Sequence, residues 1–473
     1  MNYGSADSEN KKITQLIIEA GKRARKETSR KPESTYTNPV TWPIQCLVGP
    51  GLEGAIACES KVGYVNGSQG WLIYRGYDIF DLCAHSNFEE VSYLLLHGSF
   101  PSGKQLKDYT AKLRRYQNLC NTIRFLMGFP VERMNAMAAL RIGVTLMRLE
   151  FTDIDSDSYE PDISTTISVD EDSIPMETIP RGEAHAIYEF KKKIKRSLNS
   201  KEVCYSSVGL DSCYHLLSGV AVITGAVARI RGNMLPISAD PKLRFAANLI
   251  YMITGRRPTP LEERIMDVAL ILHADHGMNA STFSTMVVAS TLSDIYFAVG
   301  SGIAALNGSL HGGANERVLH MLKEIGSSKN VKKWYKEAIS KKKKIMGFGH
   351  RVYKAYDPRA RILGPLADYL VNAHGDRDAK MLLRTAQTLE KEVVSTLGAQ
   401  KKIFPNVDFY SGIVYSCLGI PVEMFTPVFA VSRVSGWTAR VVEYLEHNRI
   451  FRPRAVYTGP LNKKYKTVKE KGE

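Results

Sequence analysis

Long apolar runs are missing from this sequence. It has no stretch of about eighteen or more uncharged apolar residues, the length that a helix needs to cross a bilayer. Residues 220–230, one of the best candidates, are too few and include glycine and arginine. The N-terminus lacks the apolar core of a signal peptide, and its basic residues at 22–26 are mixed with acidic ones, unlike a transit peptide. We therefore expect a cytoplasmic protein, with the mitochondrial matrix as the less favoured alternative.

Cysteine pairs are missing as well. The seven cysteines contain no C-x-x-C spacing and are odd in number; they stand at positions 46, 58, 83, 120, 204, 213 and 417. This usage is typical of a reducing compartment and argues against a disulfide framework. We interpret all seven as free thiols.

A metal-binding pattern is also lacking. His273 and His276 are three residues apart and would share one face of a helix, as in some zinc sites. Spacing suggests no third ligand, and there is no H-E-x-x-H, so we predict no metal and keep a capping histidine as the simpler interpretation.

The chain length and the apolar periodicity predict a mostly α-helical protein of two domains. A chain of 473 residues exceeds what one hydrophobic core usually serves, and 44% hydrophobic with 23% charged residues is typical of folded proteins. From Phe80 onward apolar residues recur at helical spacing, including a helix over 283–304 and two over 422–430 and 437–446. The exception is 61–75, where β-formers flank a glycine-rich turn and predict a short N-terminal β-hairpin.

Two segments are expected to lie outside the helical core. Residues 1–45 are polar and end in prolines, which predicts an extension with a short helix and a linker. Residues 150–203 contain ten acidic and no basic residues between Glu150 and Glu177, which predicts a partly disordered insertion.

The net charge of +15 admits two kinds of partner, nucleic acids or small polyanionic substrates. Lysines cluster at 341–344 and in the tail at 463–471, where solvated surface charge is the simpler explanation. No RNP, zinc-finger or zipper pattern accompanies them, so we expect no nucleic-acid or membrane partner.

Histidine, aspartate and arginine stand beside glycine in four short segments. The first, LHADHGMN at 272–279, holds the histidine pair described above. The second, GSLHGGANE at 308–316, sets His311 in a glycine-rich turn before a predicted helix. The dipole of that helix disfavours an imidazolium, so a neutral His311 could donate a hydrogen bond to an enolate. A structural histidine is the alternative for this segment taken alone.

The third and fourth segments add further polar groups. In GFGHRVYK at 347–354, followed by Asp357-Pro358-Arg359, the glycines permit close approach of a ligand, His350 can donate to a carbonyl, and Arg359 can bind a carboxylate. In PNVDFYSG at 405–412, Asp408 lies between apolar residues; burial would raise its pKa, as a general base requires, and a helix cap is the alternative. Arg433 and Arg452 could complete a dicarboxylate site.

Together these segments resemble the citrate synthase family from about residue 51 to 459, apart from the insertion at 150–203. The runs LHADHGMNASTF, LHGGANE, MGFGHRVYKAYDPRA and PNVDFYSG occur in the family's order with similar spacing. The segment GLEG at 51–54 and the run YRGYD at 74–78 are similar to its shorter, dimeric bacterial type. The resemblance implies an acyltransferase of the tricarboxylic acid cycle that condenses acetyl-CoA with oxaloacetate, with no cofactor.

The resemblance also implies residue roles. Asp408 removes a methyl proton of acetyl-CoA, neutral His311 stabilises the enol, and His350 polarises the ketone of oxaloacetate. The oxaloacetate carboxylates are held by His276, Arg359, Arg433 and Arg452. Arg452 is contributed by the partner subunit of a homodimer, and Lys354 with the lysines at 341–344 is expected near the CoA phosphates.

The fold implied by the resemblance is almost wholly α, in two domains. A large domain would comprise 46–306 and 413–473, and a small domain 307–412 would close over oxaloacetate and exclude water.

Three rival functions stay open at this stage. A 2-methylcitrate synthase would use the same residues on propionyl-CoA, and one methylene changes selectivity by only about 1–3 kcal/mol. A basic nucleic-acid-binding or scaffold protein that has lost activity would bind DNA in a salt-dependent way. A zinc hydrolase built on His273 and His276 would lose turnover with a chelator.

Overall fold

The computed structural model describes residues 3–148, 205–461 and 464–465. The insertion predicted at 150–203 lies outside these ranges, as do Cys204 and most of the lysine-rich tail. The other six cysteines are free thiols, as expected.

The described chain is mostly helical, with one small sheet. The strands are β1 (Gly63–Asn66), β2 (Trp71–Tyr74) and β3 (Tyr77–Asp78). The helices are α1 (Tyr3–Glu27), α2 (Ser34–Thr37), α3 (Ile79–His85), α4 (Phe88–His97), α5 (Gly103–Arg115), α6 (Cys120–Met127), α7 (Ala136–Leu146), α8 (Tyr205–Arg231), α9 (Phe245–Thr254), α10 (Pro260–His273), α11 (Ala280–Ser290), α12 (Ile295–Leu306), α13 (Ala314–Ile325), α14 (Val331–Ser340), α15 (Pro358–His374), α16 (Arg377–Val393), α17 (Ala399–Lys401), α18 (Val407–Cys417) and α19 (Phe425–Leu445). Single 3₁₀ or π turns lie at Pro50–Leu52, Val131–Arg133, Ser328–Asn330, Val394–Gly398 and Val422–Met424.

The predicted hairpin is confirmed. Strands β1 and β2 pair antiparallel, with Val65 opposite Leu72, and the two-residue β3, which the sequence analysis missed, adds to β2. The hairpin turn lies against the segment that follows His350: the Lys354 N–H donates to the Gly67 carbonyl at 2.9 Å. A Cβ at Gly67 would lie 2.0 Å from the Val352 carbonyl oxygen, so only glycine permits this contact.

The N-terminal helix α1 corrects the prediction that residues 1–45 lie outside the core. Its side chains at Ile13, Ile17, Ala20 and Ala24 are buried within the main hydrophobic cluster, and the helix packs against α3, α10 and α15. The spacing of these four residues is that of one helical face. The polar composition of the segment hid this narrow apolar stripe.

We expect the substitution Ile17→Ala to lower the free energy of unfolding by about 2–5 kcal/mol, because it removes a fully buried side chain from a packed core. Urea denaturation of the full chain measures this. Lys12→Ala, on the exposed side of the same helix, is the matched control and should stay within about 0.5 kcal/mol. Equal, small effects of both substitutions would show that α1 does not unfold with the core.

Two helix predictions are wrong in their boundaries. Residues 283–304 belong to two helices, α11 and α12, because Leu292 adopts a positive φ of 62° and Asp294 caps α12 by accepting from the Tyr296 N–H at 2.7 Å. Conversely, 425–445 form one continuous helix, α19, which is buried along most of its length. A Cβ at Gly436 would lie 2.2 Å from the Ala274 carbonyl oxygen, so this glycine lets α19 pack closely on the end of α10.

Helix α8 contacts α19 and contains the stretch Leu210–Arg231, which by length and apolar composition alone could cross a membrane. Most of this stretch, 89% over its most apolar 18 residues, is buried inside the protein. A helix covered in this way is typical of the centre of a globular core.

Candidate active site

The loop that carries His350 is held against the start of α18, which carries Asp408. The Gly349 N–H donates to the Phe404 carbonyl at 2.9 Å, and the Asn406 N–H donates to the Gly347 carbonyl at 2.8 Å. Gly347 has a φ of 79°, and a Cβ there would lie 2.8 Å from the Phe409 ring. The glycines of this segment therefore serve its close packing on α18.

Asp357 connects the same two segments through a fully buried carboxylate. It caps α15 by accepting from the Arg359 N–H at 3.0 Å, and it accepts from the Val407 N–H at 3.2 Å. The Arg359 side chain donates to it twice, from Nε at 3.0 Å and from Nη2 at 2.8 Å. Burial alone would lower the pKa of Arg359, but the adjacent carboxylate raises it overall. Arg359 is thus a fixed cation whose Nη1 has no partner among the described residues.

Arg433, on α19, is a second buried cation, and no carboxylate of the described residues pairs with it. Its Nε donates to the His273 carbonyl at 2.6 Å, and its Cζ lies 4.7 Å from the centre of the Phe429 ring. Among the described residues, no acceptor lies within hydrogen-bonding distance of its Nη1 or Nη2. Burial lowers its pKa to about 10, so it stays charged at neutral pH.

Arg440, two turns further along α19, differs in this respect. It donates to both carboxylate oxygens of Asp275, each at 2.8 Å. Of these two buried arginines, only Arg433 has both terminal nitrogens available for a ligand.

His276 and His350 lie side by side. Their ring centres are 5.2 Å apart, and the Tyr353 ring lies 5.3 Å from His276 and 5.0 Å from His350. Burial, aided by Arg359 and His350, lowers the pKa of His276 well below its usual value. Its buried Nε2 has no hydrogen-bond partner within the described chain, and the same holds for the Tyr353 hydroxyl.

The tautomer of His350 follows from its neighbours. The Val352 and Tyr353 N–H groups both donate to its Nδ1, at 3.0 and 3.2 Å. A backbone N–H can only donate, so the proton of the neutral ring must be on Nε2. Burial, with a contribution from Arg359, lowers the pKa of His350 to about 4. At neutral pH His350 is therefore an uncharged Nε2–H donor.

His311 is held in the opposite tautomer. The Ser281 N–H, in the first turn of α11, donates to its Nε2 at 3.2 Å, and the Ser281 hydroxyl lies 2.9 Å from the same nitrogen. The proton is therefore on Nδ1. Burial, aided by Arg433, lowers the pKa of His311 to about 4. The neutrality expected from the sequence is present, but its main cause is burial rather than the dipole of the following helix.

Asp408 supplies the carboxylate of the site. It is the second residue of α18, where the Asn406 side chain accepts from its N–H at 3.1 Å. Burial raises its pKa to about 6, while Arg359, Arg317 and Arg433 act in the opposite direction. The site thus combines a carboxylate of raised pKa, two neutral imidazole donors and two buried cations.

Comparison with known proteins decides the family. The family described as citrate synthase, C-terminal domain, matches residues 51–454. The chain belongs to the citrate synthase family.

Several family members are similar over nearly their whole length. The citrate synthase of Haloferax volcanii is 37% identical over 423 residues, which cover 89% of this chain and 98% of that one. The citrate synthase of Synechocystis is 38% identical over 421 residues, which cover 89% of this chain and 93% of that one. A Thermoplasma acidophilum citrate synthase, solved in ternary complex with carboxymethyl coenzyme A and oxaloacetate, superposes with a TM-score of 0.74 at 31% identity, covering 90% of this chain and all of that one.

Two predicted residues do not join this citrate synthase site within the single chain. Arg452 is exposed on the extended segment that follows α19. Lys354 is close enough to act electrostatically on His350, but its side chain is exposed. In the lysine run at 341–344, Lys341 pairs with Glu337 and Lys343 with Glu324 on the surface.

His273 lies behind the site. Its Nδ1 lies 2.7 Å from the Ala269 carbonyl of the preceding helical turn, and its ring packs on Phe429. This geometry favours the capping interpretation over a zinc ligand. Nowhere in the described ranges do three or more His, Cys, Asp or Glu side chains gather as a metal site would require.

Four residues that shape the site were not predicted from the sequence. Asp357 could have been found, since Asp before Pro at a helix start is a capping signal. Ser281 and Tyr353 carry no such signal, because their contacts with His311 and His276 join positions far apart in the chain. Arg317 carries none either. Arg317 donates to the Ser309 carbonyl at 2.6 Å and so holds the loop that carries His311.

Proposed function

We propose that this chain condenses acetyl-CoA with oxaloacetate and water to give citrate and CoA, the first step of the tricarboxylic acid cycle. The observation that carries the proposal is a pair of buried groups: His276 Nε2 has no hydrogen-bond partner within the described chain, and the Arg433 guanidinium forms a hydrogen bond there only through its Nε. They lie beside the His350 donor and Arg359. A small ligand with two carboxylates and a ketone would supply the acceptors that these groups lack.

The acetyl group would react between Asp408 and His311. Asp408 removes a proton from the methyl carbon, for which a pKa of about 6 suits a base at neutral pH. The Nδ1–H of His311 donates to the thioester oxygen and stabilises the enol. The imidazole does not have to be positively charged for this role, because a hydrogen bond from the neutral ring is enough to stabilise the enol.

Oxaloacetate would be bound on the other side of the reacting carbon. The Nε2–H of His350 polarises its ketone, and the enol carbon attacks that ketone to form citryl-CoA. His276, Arg359 and Arg433 bind the carboxylates. Hydrolysis of the citryl thioester then releases CoA and makes the reaction effectively irreversible.

The remaining cation would come from a second subunit. We propose a homodimer in which Arg452 of the partner subunit completes the carboxylate site, since Arg452 in this chain is exposed on the segment that follows α19. Lys354, exposed beside the His350 loop, would meet the CoA phosphates. The residues at 307–412 would act as a small domain that closes over oxaloacetate.

The test is a comparison of acyl donors. We expect kcat/KM for acetyl-CoA to exceed that for propionyl-CoA by about 10- to 200-fold, the discrimination that one methylene gives in a shaped pocket. Thiol release in the presence of oxaloacetate measures both, with reactions lacking oxaloacetate as the control. A higher kcat/KM for propionyl-CoA would overturn the proposed substrate. No thiol release from either donor would overturn the proposed reaction.

A further inference from the structure

The carboxylate of Glu390, on α16, lies between two tyrosine hydroxyls. The Tyr356 hydroxyl donates to its Oε1 and the Tyr410 hydroxyl donates to its Oε2. All three side chains line a cavity of about 450 Å³, which Ala20 and Arg23 of α1 also line. Glu390 therefore holds two other segments of the chain at one point.

Both tyrosines belong to segments that carry site residues. Tyr356 lies between His350 and Arg359 and directly precedes Asp357. Tyr410 lies two residues after Asp408 on α18. A single carboxylate from a third helix thus fixes the segment that polarises the acceptor and the helix that supplies the base.

Neighbouring groups stabilise both tyrosine side chains. Burial and the nearby Glu390 raise the pKa of both tyrosines, so that they remain protonated donors. The Arg361 guanidinium lies over the Tyr356 ring, with Cζ 4.4 Å from its centre, and pairs with Glu27 of α1. Tyr356 is therefore held on its ring face and at its hydroxyl.

We propose that Glu390 is a positioning residue for the reaction described above: through Tyr356 and Tyr410 it sets the separation of His350 and Asp408 without contacting either substrate. This inference rests on the proposed function. The bond between the two substrates forms between these residues, and a misplacement of about 1 Å from a remote change can reduce the rate by about 100-fold.

The first test replaces Glu390 with glutamine. An NH2 group then replaces one of the two carboxylate oxygens, so one tyrosine loses its charged acceptor. We expect kcat to fall by about 10- to 100-fold, with KM for oxaloacetate within about threefold because Arg433 and the Asp357–Arg359 pair are untouched. Glu392→Gln is the matched control, since it makes the same change on the same helix and its carboxylate has no hydrogen bond or ion pair among the described residues. Its kcat should equal that of the parent.

A double-mutant cycle tests the contact itself. Tyr410→Phe removes one donor and should lower kcat in the same direction, and the double variant with Glu390→Gln should lose less than the product of the two single effects, because both act through one bond. The proposal would be overturned if the loss of kcat in the double variant equalled the product of the two single losses. An unchanged kcat in folded Glu390→Gln would overturn it as well. If Glu390→Gln does not fold, Tyr356→Phe and Tyr410→Phe decide, and unchanged kcat in both overturns it. An inactive parent would instead refute the proposed function.

Discussion

Replacing Asp408 with asparagine is expected to reduce kcat by about 10²- to 10⁴-fold while oxaloacetate binds nearly as before. The substitution keeps the shape of the side chain and removes its charge and its ability to accept a proton. The groups proposed to bind oxaloacetate do not depend on Asp408, since Arg359 is fixed by Asp357 and Arg433 by the His273 carbonyl. Steady-state thiol release and calorimetric titration with oxaloacetate measure the two quantities.

Asp378→Asn is the matched control for this change, because Asp378 is an exposed aspartate in the first turn of α16. It should leave both kcat and the oxaloacetate Kd unchanged. If Asp408→Asn weakened oxaloacetate binding more than tenfold and left kcat intact, Asp408 would be a binding group and another base would be required.

The same carboxylate sets the expected pH dependence of the parent enzyme. Asp408 acts as a base only when ionised, and burial raises its pKa to about 6. We therefore expect kcat/KM to be level above this pH and to fall as the pH drops through about 6. His311 and His350, with pKa values lowered to about 4 by burial, stay neutral in this range and do not produce the acidic limb. An acidic limb centred above pH 7 would contradict this assignment.

The segments that carry the site could be predicted because each contains a local signal, a histidine or aspartate beside glycines or within an apolar run. What the sequence could not show is how they meet. The Asn406 side chain donates to the Gly349 carbonyl across 57 positions, and the hairpin turn at Gly67 supports the segment after His350. Periodicity and composition describe neighbours along the chain and carry no information on such contacts.

Average composition gives a wrong prediction of burial where a polar segment carries a narrow apolar face. In α1 one buried residue per helical turn is enough to join the core, yet the segment averages as polar and was predicted to lie outside it. For α19 the opposite holds: polar residues such as Ser432, Ser435 and Thr438 are fully buried, because their hydroxyls donate to carbonyls of the chain. Burial here follows from hydrogen bonding, which single-residue hydrophobicity does not capture.

Arg433 and Arg440 lie seven residues apart on α19, and substitutions at the two positions are expected to have different effects. The first should weaken oxaloacetate binding and the second should lower stability. Arg433→Met should raise the Kd for oxaloacetate by about 30-fold or more, since it removes donors to a carboxylate that contribute about 2–5 kcal/mol when buried. It should not lower the melting temperature, because an unpaired buried cation is costly to the folded state.

Arg440→Met should act mainly on stability. It leaves the fully buried Asp275 carboxylate without its cation, and breaking one side of such a pair is expected to cost about 3–5 kcal/mol of unfolding free energy. Calorimetric titration and thermal unfolding of both variants separate the two effects. Equal destabilisation by both substitutions, with oxaloacetate binding unchanged in Arg433→Met, would place Arg433 in the structural core and not in the substrate site. Spacing and composition alone cannot distinguish the two arginines, because the carboxylate that pairs with Arg440 lies 165 residues away.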